Sequence, residues 1–152
     1  MQKTFIIKTE QQTKDLAKRF AKIAKKGDVF ALYGTLGMGK SVFARAFIQF
    51  LSDAEEVPSP TFTLVQSYQT DECDVFHFDL YRLKSPDEVF ELGFEEAVYG
   101  GISLIEWPEK SGVWLPRDVF KVEISSCDEG RKIIVEANST DKIDRLESVD
   151  DD

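Results

Sequence analysis

Residues 31–47 read ALYGTLGMGKSVFARAF, and Gly34, Gly39, Lys40 and Ser41 fall within them in the pattern G-x-x-x-x-G-K-[ST]. Gly37 adds a further glycine. These residue types at this spacing suit a bound phosphate. Glycines let the backbone curl until several N–H groups converge on one anion. A helix beginning near Gly39 adds its unpaired N-terminal N–H groups and the positive end of its dipole. Lys40 then reaches the β- and γ-phosphates, and the Ser41 hydroxyl is a hard oxygen ligand for Mg²⁺. The motif lies between a buried-strand pattern and a helix pattern, as a phosphate loop must. Gly34, Thr35, Leu36, Gly37, Met38 and Gly39 are therefore candidate nucleotide contacts, and a glycine turn without a ligand is the weaker reading.

Phosphoryl chemistry also needs a carboxylate across the site, to hold the metal or its water. The segment VFHFD ends at Asp79, and ISLIE ends at Glu106. In an open parallel sheet, ligands bind beyond the carboxyl ends of the strands, which is where both acids fall. Spacing does not say which of the two meets Mg²⁺. Guanine recognition usually calls for an N-K-x-D loop, which the chain lacks, so ATP is the expected nucleotide.

The elements that must position these residues can be read in order. TFIIK (4–8) is a strand pattern, and Thr9 or Glu10 opens a helix that Gly27 is expected to end from a C′ position. DVFALYG (28–34) is a short apolar run suited to a strand buried on both faces. A helix follows from about Gly39 to Leu51, with Phe43, Phe47 and Phe50 or Leu51 spaced to face a core. EEVPSPTF (55–62) reads as an extended loop, and TLVQSYQT and DVFHFDLY as two strands joined through Asp71 to Asp74. Ser85, Pro86 and Glu88 satisfy the capping-box and proline-entry rules for a helix start. ISLIEW (102–107) is another apolar strand, and VFKVEIS (119–125) with RKIIVEA (131–137) predicts a closing hairpin. Alternating strands and helices imply an α/β sandwich, with a parallel central sheet and antiparallel additions.

Composition narrows the function classes. A chain of 152 residues fits one domain, expected over 1–145, with 146–152 an acidic, disordered tail and DRLESVDDD fraying as a whole. The net charge of −9, from 28 acidic and 19 basic side chains, opposes direct binding of a polyanion. Lys14, Lys18, Lys22 and Lys25 follow helical spacing opposite Leu16, Phe20 and Ile23, and read as a solvated helix face rather than an RNA-binding patch. Without an apolar run of about 20 residues or a secretory leader pattern, the expected location is cytoplasmic. Cys73 and Cys127 form no C-x-x-C pair and read as reduced, partly buried thiols; His77, the one histidine, has no Cys or His beside it to suggest zinc.

The segments GTLGMGKS, VPSPTFTLVQSY, HFDLYRL, ELGFEE and LIEWPE, in that order, resemble the bacterial TsaE family of small ATPases required for tRNA threonylcarbamoyladenosine modification. The resemblance runs from about residue 8 to residue 131. It implies a P-loop NTPase-like three-layer sandwich, with a mostly parallel central sheet and antiparallel additions. It implies weak ATP hydrolysis by the protein alone and work with the TsaB and TsaD proteins, which make N6-threonylcarbamoyladenosine in tRNAs decoding ANN codons. TsaD transfers the carbamoyl group, so tRNA is reached through TsaD, and hydrolysis is expected to reset that complex between turnovers.

Site roles implied by the resemblance fall on matching positions. Lys40 matches the phosphate-binding lysine, and Ser41 the magnesium-binding hydroxyl, usually Thr in relatives. Glu106 matches the second magnesium ligand and Asp79 the acid that orients water. Trp107 follows Glu106 as in the family, either against the nucleotide or as a packed aromatic. Thr61, in SPTF, matches a switch-like loop whose hydroxyl approaches the γ-phosphate or metal. Glu10 and Thr13 match an N-terminal segment near the nucleotide, and Arg131 a late basic position near it. Arg82, in DLYRL, is either a finger toward the phosphates or an ion-pairing group. A small P-loop kinase with Asp79 as base, and a nucleotide-responsive binding module, are the rival readings of the same residues.

Overall fold

The computed structural model describes residues 1–35 and 39–149. Its backbone runs β1 (Gln2–Ile7), α1 (Glu10–Ile23), β2 (Val29–Tyr33), α2 (Lys40–Leu51), β3 (Val65–Gln69) and β4 (Asp74–Asp79). A 3₁₀ segment (Pro86–Leu92), α3 (Phe94–Gly100), β5 (Ile102–Glu106), a second 3₁₀ segment (Pro108–Trp114), β6 (Phe120–Cys127), β7 (Gly130–Glu136) and α4 (Thr140–Glu147) follow.

All seven strands form one sheet in the order β1-β7-β6-β2-β5-β4-β3. β2 pairs in parallel with both β5 and β6, and β4 pairs in parallel with β5. The β6–β7, β1–β7 and β3–β4 pairs are antiparallel, so the centre is parallel and the edges are not. β2 and β5 read VFALY and ISLIE, mostly apolar and buried almost throughout, with Ser103 the one polar residue before their last, because helices or 3₁₀ segments cover both faces.

Phenylalanine organises the larger core. Phe20 of α1 lies 6.0 Å from Phe5, 6.2 Å from Phe30 and from Phe43, and 6.4 Å from Phe120, ring centre to ring centre. Phe30 and Phe120 stack at 4.8 Å. One ring thus joins α1 and α2 to strands β1, β2 and β6. Truncating such a residue costs roughly 3–5 kcal/mol. The other face holds a smaller core in which Phe78 of β4 meets Phe94 of α3 edge-on at 5.3 Å.

Helix starts follow local chemistry. Thr9 caps α1 in a full capping box: Gln12 N–H donates to Thr9 Oγ1 at 3.2 Å, and Thr9 N–H donates to Gln12 Oε1 at 3.1 Å. α2 starts differently. Gly39 precedes it at φ 105°, no side chain caps it, and its first turn carries no acid. Its first N–H groups therefore keep an unmatched positive end.

Three expectations are corrected. Gly27 does not end α1, which stops at an extended Ala24; Gly27, at φ 92°, instead turns the chain into β2. The segment opened by Pro86 is a 3₁₀ run that Gly93, at φ 70°, separates from α3, and Ser85 makes no side-chain cap. α2 turns Phe43 and Phe47 inward as expected, and of the two residues offered for its last turn it is Leu51 that packs against the larger core, Phe50 being 44% exposed. The acidic end does not fray from Asp144: α4 runs to Glu147, Ser139 caps it, and Leu146 and Val149 are buried in the larger core. These two apolar residues lie in an acidic run whose Arg145 also binds the buried Asp28. Asp150, Asp151 and Asp152 lie outside the described residues.

Candidate functional site

The carboxyl ends of β2, β4 and β5 converge on the N-terminus of α2. Leu32 pairs with Glu106, and Glu106 pairs with Asp79, so the two acids stand at one level on neighbouring strands. Gly39, Lys40, Ser41, Val42, Ser59, Thr61, Asp79, Glu106 and Trp107 line a cavity of about 270 Å³ there. The structure thus brings together Lys40, Ser41, Asp79, Glu106, Thr61 and Trp107. Gly34, at φ 143°, and the exposed Thr35 leave β2 toward the same end; Leu36, Gly37 and Met38 lie outside the described residues.

Lys40 is 4% exposed, and its Nζ has no hydrogen-bond partner among the described residues. It rests 3.7 Å from the centre of the Trp107 ring, a cation–π contact. Burial pushes its ammonium below the usual lysine range, while Glu106, Glu109 and Asp79 pull it back up. Trp107 itself has φ 58° and ψ 50°, although it precedes a proline, which normally holds its neighbour extended. Left-handed backbone at a non-glycine residue costs of order 1–3 kcal/mol and persists only where its surroundings enforce it. Here it sets the indole between Lys40 and Tyr81, whose ring lies 5.0 Å away.

The acids are held at both oxygens. Ser41 Oγ donates to Glu106 Oε1 at 3.1 Å, and His77 Nε2 lies 2.7 Å from Glu106 Oε2. Asp79 Oδ1 accepts from the Tyr81 N–H at 3.0 Å and Oδ2 from Thr61 Oγ1 at 3.0 Å. Since Thr61 donates to Asp79, the Ser59 hydroxyl 2.7 Å away donates to Thr61. Thr61 therefore stands on Asp79, between the SPTF loop and β4.

Glu10, Thr13 and Arg131 line a second cavity, of about 310 Å³, with Ile7, Lys8, Thr9 and Gly130. Gly39 and Val42 border both cavities, so the two meet across the start of α2. Gly130 sits at φ 140°, and a Cβ there would run into the Ile7 carbonyl oxygen; the wall of this cavity requires glycine. Arg82 lies over the Phe62 ring at 5.1 Å, on the outside of the molecule.

The residues fit a magnesium ion. Ser41 Oγ and Glu106 Oε1 are hard oxygens 3.1 Å apart, and neighbouring ligands of an octahedral Mg²⁺ with bonds of about 2.1 Å stand about 3 Å apart. The buried Lys40 cation, without a hydrogen-bond partner among the described residues and beside the uncapped helix start, likewise fits a phosphate. One participant escaped sequence reasoning. As a lone histidine His77 suggests no zinc site, yet the period of two along HFD puts it on the same face as Asp79.

The model of the family described as threonylcarbamoyl adenosine biosynthesis protein TsaE matches residues 7–133. The chain belongs to the TsaE family. It is 41% identical over 147 residues to the tRNA threonylcarbamoyladenosine biosynthesis protein TsaE of Rickettsia felis, covering 94% of this chain and 86% of that one. Its identity to the Bacillus subtilis protein of the same name is 37% over 125 residues, covering 81% and 78%. The crystal structure of Bacillus subtilis YdiB superimposes with a TM-score of 0.79 at 28% identity, covering 98% of this chain and 94% of that one. The fold is P-loop NTPase-like, and the match places this TsaE-family chain in tRNA threonylcarbamoyladenosine biosynthesis. No helix among the described residues is long and apolar enough to cross a membrane.

Proposed function

We propose that this chain is a Mg²⁺-dependent ATPase of tRNA threonylcarbamoyladenosine synthesis, acting in the cytoplasm on a TsaB–TsaD complex to reset it between turnovers. The observation that carries the nucleotide part is Lys40: a buried cation with no acceptor among the described residues, at an uncapped helix start, facing Ser41, Glu106 and Asp79 across one cavity.

In this reading Lys40 leaves the Trp107 ring when a triphosphate arrives and neutralises charge growing on its oxygens. The α2 N–H groups and the loop from Gly34 to Gly39 surround the phosphates. Ser41 and Glu106 would hold Mg²⁺, which supplies further neutralisation of the phosphates when bound. Asp79, fixed by Thr61 and Tyr81, presents an acceptor that orients the attacking water. Glu10, Thr13 and Arg131 take the nucleoside in the adjoining cavity. Arg82 is directed onto Phe62 rather than inward, which suits slow hydrolysis that a partner accelerates. The net charge of −9 suits a protein that reaches tRNA through TsaD.

The test is threonylcarbamoyladenosine formation on unmodified tRNA by TsaB and TsaD under multiple turnover, with ATP, threonine, bicarbonate and the carbamoyl-adenylate synthase. Sustained turnover with the wild type, and its loss with Lys40→Ala, is the expected result. A folded, ATP-binding wild type that gives no stimulation overturns the proposal. Phosphate transferred to an acceptor rather than released to water would replace it with a kinase.

A further inference from the structure

We propose that His77 is a positioning residue: its Nε2–H locks the Glu106 carboxylate in the orientation that offers an oxygen to magnesium rather than to Lys40. The inference rests on the magnesium–nucleotide reading above.

His77 lies on β4 two residues before Asp79, so both side chains leave the same face of the strand. It is fully buried, with Val75 and Leu104 of the larger core on that face. Its one ring contact with a polar group among the described residues is Glu106 Oε2, at 2.7 Å, and its Nδ1 is without a partner. A ring nitrogen bonds an ionised carboxylate only by donating, so the proton sits on Nε2. An imidazole buried with one nitrogen unmatched is poorly suited to packing alone, where an apolar side chain would serve better.

The need for such a lock follows from the site. Lys40 Nζ is buried without an acceptor among the described residues, and Glu106 is the first of the acids that stabilise its charge. A Glu106 free to turn would pair with that ammonium and withdraw from Ser41. Ser41 holds Oε1 and His77 holds Oε2, so the carboxylate plane is set from both sides. Each oxygen keeps a second lone pair for another ligand. Partners of this kind behind a metal ligand typically change metal affinity by about 10–100-fold when removed.

Two variants of the full chain separate positioning from packing. His77→Gln keeps an N–H donor at similar reach, and His77→Met has similar length without one. Binding of a fluorescent ADP analogue is titrated with Mg²⁺, and again in EDTA. The expected result is a half-saturating Mg²⁺ concentration raised about 10-fold in His77→Met, recovered largely in His77→Gln, with binding in EDTA unchanged. A folded His77→Met with the wild-type Mg²⁺ dependence overturns the inference and leaves the magnesium reading standing. A wild type whose nucleotide binding ignores Mg²⁺ overturns both.

A metal-free readout covers the case in which His77→Met does not fold. The chain has one histidine, so its imidazole is the single such ring in a nitrogen-15 spectrum. The ligand-free wild type is expected to show a slowly exchanging Nε2–H that is lost in Glu106→Ala. A ring protonated on Nδ1 alone overturns the inference.

Discussion

Asp28, just before β2, and Lys40, just after the loop that follows it, are both charged and both nearly sealed from solvent, at 3% and 4% exposed. Asp28 is closed on every side. Arg145 of α4 donates to its Oδ2 at 2.6 Å and to its Oδ1 at 2.9 Å, the Lys25 N–H adds 2.8 Å, and Lys142 Nζ stands 3.7 Å away. The bond to Asp28 is the main reason the Arg145 guanidinium holds its proton even more firmly than usual. Lys40 has an indole face and acids at a distance, but no acceptor among the described residues. Two buried charges at opposite ends of one strand therefore do different work. The saturated pair fastens α4 to the body of the fold. The unsaturated cation waits for an anion, and its incompleteness, rather than its burial, marks the site.

The comparison breaks most visibly at the fastener. Arg145→Met leaves the buried Asp28 carboxylate with the Lys25 N–H and, of its charged partners, only the longer Lys142 contact, and breaking one side of a buried ion pair costs about 3–5 kcal/mol. Thermal unfolding is expected to fall by roughly 10 °C for a chain of this size, while nucleotide affinity stays at the wild-type value. A drop of about 2 °C or less would mean that α4 is held by Leu146 and Val149 instead.

At the other end the sign reverses. Lys40→Met removes a buried charge that lacks a hydrogen bond, so the ligand-free protein is expected to gain about 1 kcal/mol, or roughly 3 °C. Nucleotide binding is expected to weaken at least about 10-fold, the worth of a charge-assisted bond. Calorimetry without nucleotide and a fluorescence titration with it read the two effects separately. A variant less stable than the wild type would show that the Trp107 contact more than offsets the burial of Lys40.

These two ends were unequally legible. The phosphate loop could be read because its glycines, lysine and hydroxyl sit together in the chain, and both acids could be read because each ends an apolar run. The central strands followed from uninterrupted apolar residues, and the β6–β7 hairpin from alternation. The Asp28 cluster could not be read, since its members are 114 to 117 residues apart, from Asp28 to Lys142 and to Arg145. The buried end of α4 was hidden for a related reason: Leu146 and Val149 are two apolar residues among acids, and they are buried in a core built from distant parts of the chain. The left-handed Trp107 was also invisible, because nothing local favours that backbone before a proline. It exists because Lys40, Tyr81 and the indole pack together.

Titration sharpens the contrast further. Lys40 in the fold loses its proton below its ordinary value of 10.5, whereas the unfolded chain keeps it up to that value. Between the two the unfolded state binds more protons, so folding stability rises with pH across that window. Unfolding of wild type and Lys40→Met, measured at increasing alkaline pH, is expected to converge as this penalty is relieved. A gap that widens would reverse the sign assigned to Lys40.

The smallest effect lies at the rim of the fastener. Asp141 bonds Arg145 at 2.7 Å as well, but its side chain is 55% exposed. The Arg145 bond is the main cause that lowers the Asp141 carboxyl below 3.8, with Lys25 helping and desolvation opposing. A carboxyl lowered by folding stabilises above its unfolded value, and that contribution disappears as the pH falls through the folded one. Water and salt screen such a pair, so Asp141→Asn is expected to shift melting by about 1 °C or less at neutral pH. In acid, once Asp141 of the folded wild type is protonated, the two proteins are expected to melt together. Arg145 keeps its bidentate bond to Asp28 in this variant, so the gap between its small effect and that of Arg145→Met measures what burial adds to the same guanidinium. If Asp141→Asn proved as damaging as Arg145→Met, the stability of α4 would reside in the exposed pair, and the contrast between a sealed fastener and an open receptor would fail.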